Sequence, residues 1–465
     1  MAYTLADLER DVLPTLEAYC AIPALSPHFE PDWSTSGHLD AAAQLLAEWV
    51  AVRLPDADVR LERLAGRTPL LLVDVPAHGV STDETVVLYG HLDKQPPLGE
   101  WSEGLAPFSP VRRGNRLYAR GAADDGYSTF AAVSALEQVR HRGASHPRCV
   151  LLIEASEESG SPDLEAYLDH LGDVLGRVEL MICLDSGALS YDRLWVTSSL
   201  RGLVNVDVTV SVLERAQHSG SASGVVPSSF RLLRQLLDRV ENSATGEVLL
   251  NEAHCPIPAW VSDANADVAR QFGDVIAQEM PTLDGVELMG ADAADRLLRR
   301  TWKPALSVIG LAGAPEPRQA GNVLRTSTTA TLSLRLPPLV DSERAAAALV
   351  ETLSQNPPEG AHVEVVLGSA ASGWAASELP ARLRDTLEEA SLTSYGAPLA
   401  FTGEGGTIPF LYQLGQRYPG VPFIATGVLG PESNAHGIDE MLDLDAVVHL
   451  VNSLAHLLSH LGGNQ

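Results

Sequence analysis

The stretch Val86-Val87-Leu88-Tyr89-Gly90-His91-Leu92-Asp93 decides how the rest of the chain is read. Four apolar residues between Thr85 and Gly90 have the pattern of a strand buried on both faces, as in a parallel sheet covered by helices. Past the glycine the chain delivers His91 and Asp93. On extended backbone, residues two apart share a face, so this carboxylate can orient the imidazole or sit beside it. Alone, the pair reads better as incidental.

Working outward, similar buried runs occur at Pro69–Val75, Cys149–Glu154 and Leu180–Leu184, each bounded by Gly, Pro or polar residues. Helical spacing alternates with them. Leu5, Leu8, Val12 and Leu16 share one face behind a Thr4/Asp7 capping signal, and His38–Val52 and Asp125–Arg140 follow. This predicts an α/β layer fold. The middle of the chain changes character: Leu203–Val212 and Thr328–Leu336 alternate apolar and polar residues, the mark of strands with one wet face. A strand at His362–Leu367 and helices at Ser228–Val240 and Ser342–Ser354 accompany them. From Leu379 helix and buried strand return, ending in a helix at Leu444–Leu461. The expected architecture is therefore one α/β domain (residues 1–200 and 376–465) interrupted by a smaller α+β domain (201–375).

Composition excludes several function classes. The 465 residues are 45% hydrophobic and 20% charged, enough for a real core. Sixty acidic against 32 basic residues give a net charge of −28. Nucleic-acid backbones and anionic membranes would repel such a chain. No apolar run reaches the roughly 18 residues that a membrane span needs. The acidic, amphipathic start, Met1 to Arg10, does not suit a signal peptide. Cys20, Cys149, Cys183 and Cys255 are scattered without a C-x-x-C pair. A reducing, cytoplasmic setting is expected.

Four more clusters end or follow predicted strands. They are Arg120-Gly121-Ala-Ala-Asp124-Asp125 ahead of a helix, Glu154-Ala-Ser-Glu157-Glu158 after a strand, Leu184-Asp185-Ser186, and the distant Asn434-Ala435-His436. Each has a plain reading: Asp124 and Asp125 as helix caps, the three glutamates fanning into solvent, His436 as a loop histidine. Together the plain readings fail. Ligands of α/β sheets gather at the carboxyl ends of the strands. His, Asp and Glu there, with no thiolate, suit one or two divalent ions of the zinc or manganese type. A carboxylate left over beside the ligands is what metal-assisted hydrolysis needs as general base.

With these clusters in order, the chain resembles the co-catalytic di-zinc metallopeptidase family of carnosinase, carboxypeptidase G and aminoacylase. Further carriers are Trp101 with Pro107-Phe108, Arg201-Gly202, His218-Ser219-Gly220, Trp302-Lys303-Pro304 and Glu404-Gly405-Gly406-Thr407-Ile408-Pro409. The resemblance implies a zinc-peptidase-like α/β/α catalytic domain and an inserted lid and dimerisation domain. It implies two divalent ions, zinc in the first place, with manganese or cobalt as alternatives. Asp124 would bridge them, His91 and Asp185 would complete one, and Glu158 and His436 the other. Glu157 would be the general base acting on a metal-bridging hydroxide, and Asp93 would hold His91 in its ligating tautomer. The Asp124–Asp125 peptide bond would be cis.

From the inserted domain, His218 would stabilise the oxyanion across a homodimer, and Arg335 would pair with the substrate carboxylate. Asn322, Gly405 and Thr407 would add substrate contacts. The expected reaction is hydrolysis of a dipeptide, or of the C-terminal residue of a short peptide. An N-acyl-amino-acid deacylase using the same centre, or an inactive relative that binds metal or peptide, stand as alternatives. The chain departs from the family at four places: Gly126-Tyr127 where Lys-Gly is common, Gly403 where Arg is frequent, Asn322-Val-Leu-Arg325 in the lid, and Lys94 where an apolar residue is usual. These leave the metal ligands untouched and fall on the expected substrate pocket.

Overall fold

A computed structural model describes residues 2–280, 282–406 and 409–463. The chain divides into two compact units. One takes in the residues up to Ser198, Ala376–Thr402 and those from Gln413 on; the other comprises Ser199–Ala375 and Gly403–Tyr412. The sequence reading placed 376–465 together, and the structure differs at 403–412. A side chain on Gly403 would run into Ser199 and Thr301, and one on Gly405 would crowd Arg201 and Arg300, so these two glycines pack within the second unit.

The first unit is built on a mixed sheet. Seven of its strands, in spatial order, are Asp58–Glu62, Leu70–Val75, Arg148–Glu154, Glu84–His91, Arg177–Cys183, Phe423–Ala425 and Trp195–Leu200. The four from Arg148–Glu154 to Phe423–Ala425 run parallel, and the outer ones antiparallel. Val86 through His91 are all buried, which explains why that segment carries no polar alternation. Helices His38–Arg53, Ser128–His141 and Leu444–Gly462 contribute Leu46, Val50, Phe130, Leu136, Leu450 and Leu454 to a core that also holds Val86, Leu88, Leu151 and Ile153. Truncating a leucine in such a core costs about 2–5 kcal/mol. The N-terminal helix Leu5–Asp11 starts on the Thr4/Asp7 capping box and is followed by a second helix, Leu13–Cys20.

In the second unit four antiparallel strands lie in the order Ala305–Ala312, Ser327–Leu336, Gly202–Ser211 and His362–Ala371. Val204, Val206, Val208 and Val210 point to one face and are buried against Leu232, Leu233 and Leu236 of helix Ser229–Leu237 and Leu349 and Leu353 of helix Ser342–Ser354. The strand Ala305–Ala312 was not visible in the sequence. It lies at the sheet's edge, is irregular between Val308 and Gly310, and leaves apolar side chains in solvent, so the polar–apolar alternation is missing. Helices Ala259–Phe272 and Ala293–Thr301 were also missed. The first buries only Val261, Asn265 and Val268, too narrow a stripe to read as a core-facing helix.

Candidate metal centre

At the carboxyl ends of the parallel strands, the first unit gathers acids and imidazoles. His91 ends its strand; Glu157 and Glu158 form a tight turn just past Arg148–Glu154, and Asp185 follows Arg177–Cys183. Asp124 lies in the short Ala122–Gly126 segment before helix Ser128–His141, and the Asp124–Asp125 peptide bond is cis. His91 Nε2 is 3.2 Å from Asp124 Oδ1, 3.8 Å from Asp185 Oδ2 and 3.9 Å from Glu157 Oε2. His436 Nε2 approaches Asp124 Oδ2 at 2.9 Å and Glu158 Oε2 at 3.2 Å. Two sets, His91/Glu157/Asp185 and His91/Asp124/Glu158, place their ligand atoms within 4.8 Å of one another. All five residues expected to ligate are thus brought together with Glu157. Imidazole nitrogens and carboxylate oxygens without thiolate fit a divalent cation of the zinc or manganese type.

Neighbouring groups fix this arrangement. His91 Nδ1 lies 3.1 Å from the Asp93 carbonyl and 3.5 Å from its carboxylate, which leaves Nε2 facing the acids. The Asp93 carboxylate accepts the backbone N–H groups of Glu157 (3.1 Å) and Glu158 (3.0 Å), so one buried acid aligns both the histidine and the glutamate turn. Asp125 does not cap the helix. Its Oδ2 accepts the His91 backbone N–H at 3.1 Å, and that approach requires Gly90, where a Cβ would strike Asp125 and Ser128. The loop that carries His436 holds Glu432, Asn434, His436 and Asp439 at positive φ, a backbone shape kept only where surrounding structure over-determines it.

The electrostatics match the crowding. Burial raises the carboxyl pKa values of Glu157 and Asp185, and neighbouring acids raise them further, Asp185 acting on Glu157 and Asp124 on Asp185. Burial and then Asp124 raise Glu158. Burial disfavours an imidazolium at His436, yet Asp124 and Glu158 outweigh it and push His436 up to about 11. Such a cluster stores repulsion between carboxylates that a divalent cation relieves.

The sequence reading missed four supports. Gln95 donates to Glu158 Oε2 at 2.7 Å. Glu154, counted among the clustered acids, is taken up by the hydroxyls of Tyr89, Ser156 and Ser161 and is pushed by burial up to about 7. Glu440 is fully buried and accepts the N–H groups of Gly121, Ala123 and Asp124 at 3.1–3.2 Å. Arg120 binds Glu440 at 2.8 Å and also donates to the carbonyl of Gly437, beside His436. An acid four residues past His436 and an arginine four before Asp124 were visible as types; that they pair was not.

The remaining described residues of the prediction, His218, Asn322, Arg335 and Gly405, belong to the second unit. His218 pairs with Val323 across a short ladder, accepts the Gly220 N–H at 3.1 Å on Nδ1, and is followed by Ser219, whose N–H bonds the Asn322 carbonyl at 2.8 Å. His218 and Asn322 are therefore neighbours. Arg335 lies on Ser327–Leu336, paired with Leu203 and Ala305. Arg201 donates to the Gly405 carbonyl at 3.3 Å, and burial, with Arg335 and Arg300 close by, lowers it to about 10. Thr407 lies outside the described residues.

A set of imidazoles and carboxylates, only partly buried, past the strand ends of an α/β sheet has the donor chemistry of a metal-dependent hydrolase. Residues 87–460 match peptidase family M20/M25/M40, and the chain belongs to that family: it is a metal-dependent peptidase. It is 26% identical over 445 residues to a cysteinylglycine-S-conjugate dipeptidase of Corynebacterium striatum, with 93% of this chain and 92% of that one covered. Its fold is that of the dipeptidase Dug1p from Saccharomyces cerevisiae (TM-score 0.74, 21% identity, 98% and 97% of the chains covered). The metallo-carboxypeptidase Sso-CP2 of Sulfolobus solfataricus is equally similar (TM-score 0.74, 21% identity, 96% and 98% covered). Among the described residues, no helix is long and apolar enough to cross a membrane.

Proposed function

We propose that this chain is a dipeptidase whose centre holds two divalent ions through His91, Asp124, Glu158, Asp185 and His436. When bound, the ions would supply Lewis acidity, lowering the pKa of water and polarising the scissile carbonyl. Glu157 then takes a proton from the attacking water and hands it to the leaving amine. Asp93 keeps His91 in the tautomer that presents Nε2 and holds the Glu157 backbone. His218 stabilises the developing oxyanion, and Arg335 pairs with the substrate carboxylate, with Asn322 and the Gly405–Thr407 loop as further contacts. The observation that carries this reading is the position of Glu157: a half-buried carboxyl whose pKa burial and then Asp185 raise, 3.9 Å from His91 Nε2 and next to the His91, Asp124 and Glu158 donors.

The names of the relatives favour a dipeptide over a longer peptide. Hydrolysis of an unblocked dipeptide, set against its N-acetyl amino-acid counterpart, tests the choice. Preference for the first supports a dipeptidase. Preference for the second replaces it with an N-acyl-amino-acid deacylase, and inertness toward both in metal-loaded protein leaves an inactive relative. A homodimer through the inserted domain is part of the proposal. Its support is the edge strand Ala305–Ala312, which exposes Val308 (49%), Ile309 (62%) and Leu311 (58%) beside unpaired backbone groups that a second copy would cover.

A further inference from the structure

Lys94 is fully buried immediately after Asp93. Its Nζ donates to the carbonyls of Tyr19 (2.8 Å), Cys20 (3.3 Å) and Ile22 (2.8 Å). These are the last carbonyls of helix Leu13–Cys20 and the turn beyond it, the groups a helix leaves without partners and the end that favours a cation. The ammonium also lies 4.1 Å from the centre of the Tyr19 ring. A buried ammonium is tolerated only where such acceptors converge, so this lysine is tied to one position.

Both partners of this contact reach the metal-bearing loops. The Tyr19 hydroxyl donates to the carbonyl of Leu92, between His91 and Asp93, at 2.8 Å. The aliphatic stem of Lys94 covers Gly121, where a Cβ would meet Cγ, Cδ and Cε at 2.7 Å. The Tyr19 ring covers Gly126, where a Cβ would collide with the ring and with the Gly121 carbonyl. Gly121 and Gly126, joined by a hydrogen bond of 3.1 Å, are the two ends of the loop that carries Asp124. The backbone of Lys94 is pinned as well, its N–H to Ala24 and its carbonyl to Ser26. Ser26 in turn bonds Ser159 at the end of the Glu157–Glu158 turn.

We propose that Lys94 and Tyr19 form a latch that sets the spacing of the His91–Asp93 and Gly121–Gly126 loops, making Lys94 a positioning residue for the metal centre. This rests on the reading of that centre as a metal site. At position 126 the Tyr19 ring and the Gly121 carbonyl together leave room only for glycine. The hydrogen bonds of the latch go to backbone carbonyls, so its effect passes through the backbone of the loops.

The test is calorimetric titration of manganese(II) into metal-free full-length protein, with unfolding midpoints measured in parallel. Lys94→Met keeps the stem and removes the ammonium; Tyr19→Phe removes only the hydroxyl bond to Leu92. Leu71→Ala, a core truncation on the strand Leu70–Val75, serves as the control for lost stability alone. The latch predicts manganese affinity about 10–100-fold weaker in Lys94→Met, as for other groups that orient ligands. It predicts a smaller loss in Tyr19→Phe, and a double variant no weaker than Lys94→Met alone. Leu71→Ala loses stability and keeps its affinity. Wild-type affinity in both Lys94→Met and Tyr19→Phe would overturn the latch while leaving the metal centre standing. An affinity loss in Leu71→Ala as large as that in Lys94→Met would also overturn it. If Lys94→Met does not fold, Tyr19→Phe decides. Failure of the wild-type protein to bind manganese or zinc overturns the metal reading and the latch with it.

Discussion

His436 Nε2 lies 2.9 Å from Oδ2 of Asp124, whose other oxygen faces His91 Nε2 at 3.2 Å. One carboxylate thus offers an oxygen to each of two imidazoles, which supports the proposed place of Asp124 between two ions. Replacing Asp124 with alanine is expected to take bound metal from two equivalents toward none and to lower kcat/KM by about 10³-fold or more, equivalent to roughly 4 kcal/mol. Metal content by elemental analysis, alongside rates, checks both.

The same contacts give the metal-free protein a pH signature. Although burial opposes them, the acids hold His91 well above and His436 up to about 11, against an unfolded value near 6.5. A folded pKa above the unfolded one gives stability that is complete below the unfolded pKa and lost as pH rises through the folded pKa. Glu157 and Asp185, raised by burial first, act in the same sense from about pH 4 upward. Asp124, depressed by its histidines against the pull of burial, acts oppositely but only in strong acid. Because the His436 side chain is 53% exposed, solvent screens its share. With chelator present, the unfolding midpoint should fall between about pH 6.5 and about pH 9. The stabilisation gained from manganese should grow over the same interval, since ligands bind deprotonated. A chelated protein equally stable at both pH values would contradict this.

Arg120 and Glu440 are 1% and 0% exposed and join the Asp124 loop to the His436 loop. Arg120→Met leaves Glu440 buried without its cation, and breaking one half of a buried pair costs about 3–5 kcal/mol. Denaturant unfolding should show that loss. Metal affinity should fall with it, because the backbone of both ligand loops hangs on the pair.

Much of the cluster was legible in the sequence because His91, Glu157, Glu158 and Asp185 fall just where buried strands end. Val86–Tyr89 and Cys149–Glu154 announce strands, and the acids and histidines just beyond them cannot all be surface residues. The alternating Val204–Val210 run similarly exposed a sheet with one dry face. What stayed hidden was pairing over long separations: Glu440 with Gly121, Gln95 with Glu158, and Lys94 with Tyr19 depend on how loops meet in space. The edge strand Ala305–Ala312 was hidden for a different reason. Its apolar residues face solvent and so break the rule by which strands are recognised.

That edge supplies a prediction of its own. Ile309→Lys places a charge in the middle of the exposed strand, and a homodimer built there should dissociate into monomers. Sedimentation at several protein concentrations reads this directly. The substitution lies outside the metal centre, so metal affinity should not change; an unaltered dimer would move the interface elsewhere.

The general-base assignment is tested most directly by Glu157→Gln, assayed for bound metal and for dipeptide turnover in one preparation. Loss of one proton-transfer group accounts for about 10²–10⁴-fold. The expected result is protein that retains both metal ions and loses turnover by at least about 10³-fold. A metal-loaded Glu157→Gln protein that hydrolyses dipeptides at the wild-type rate would contradict the assignment and the mechanism built on it.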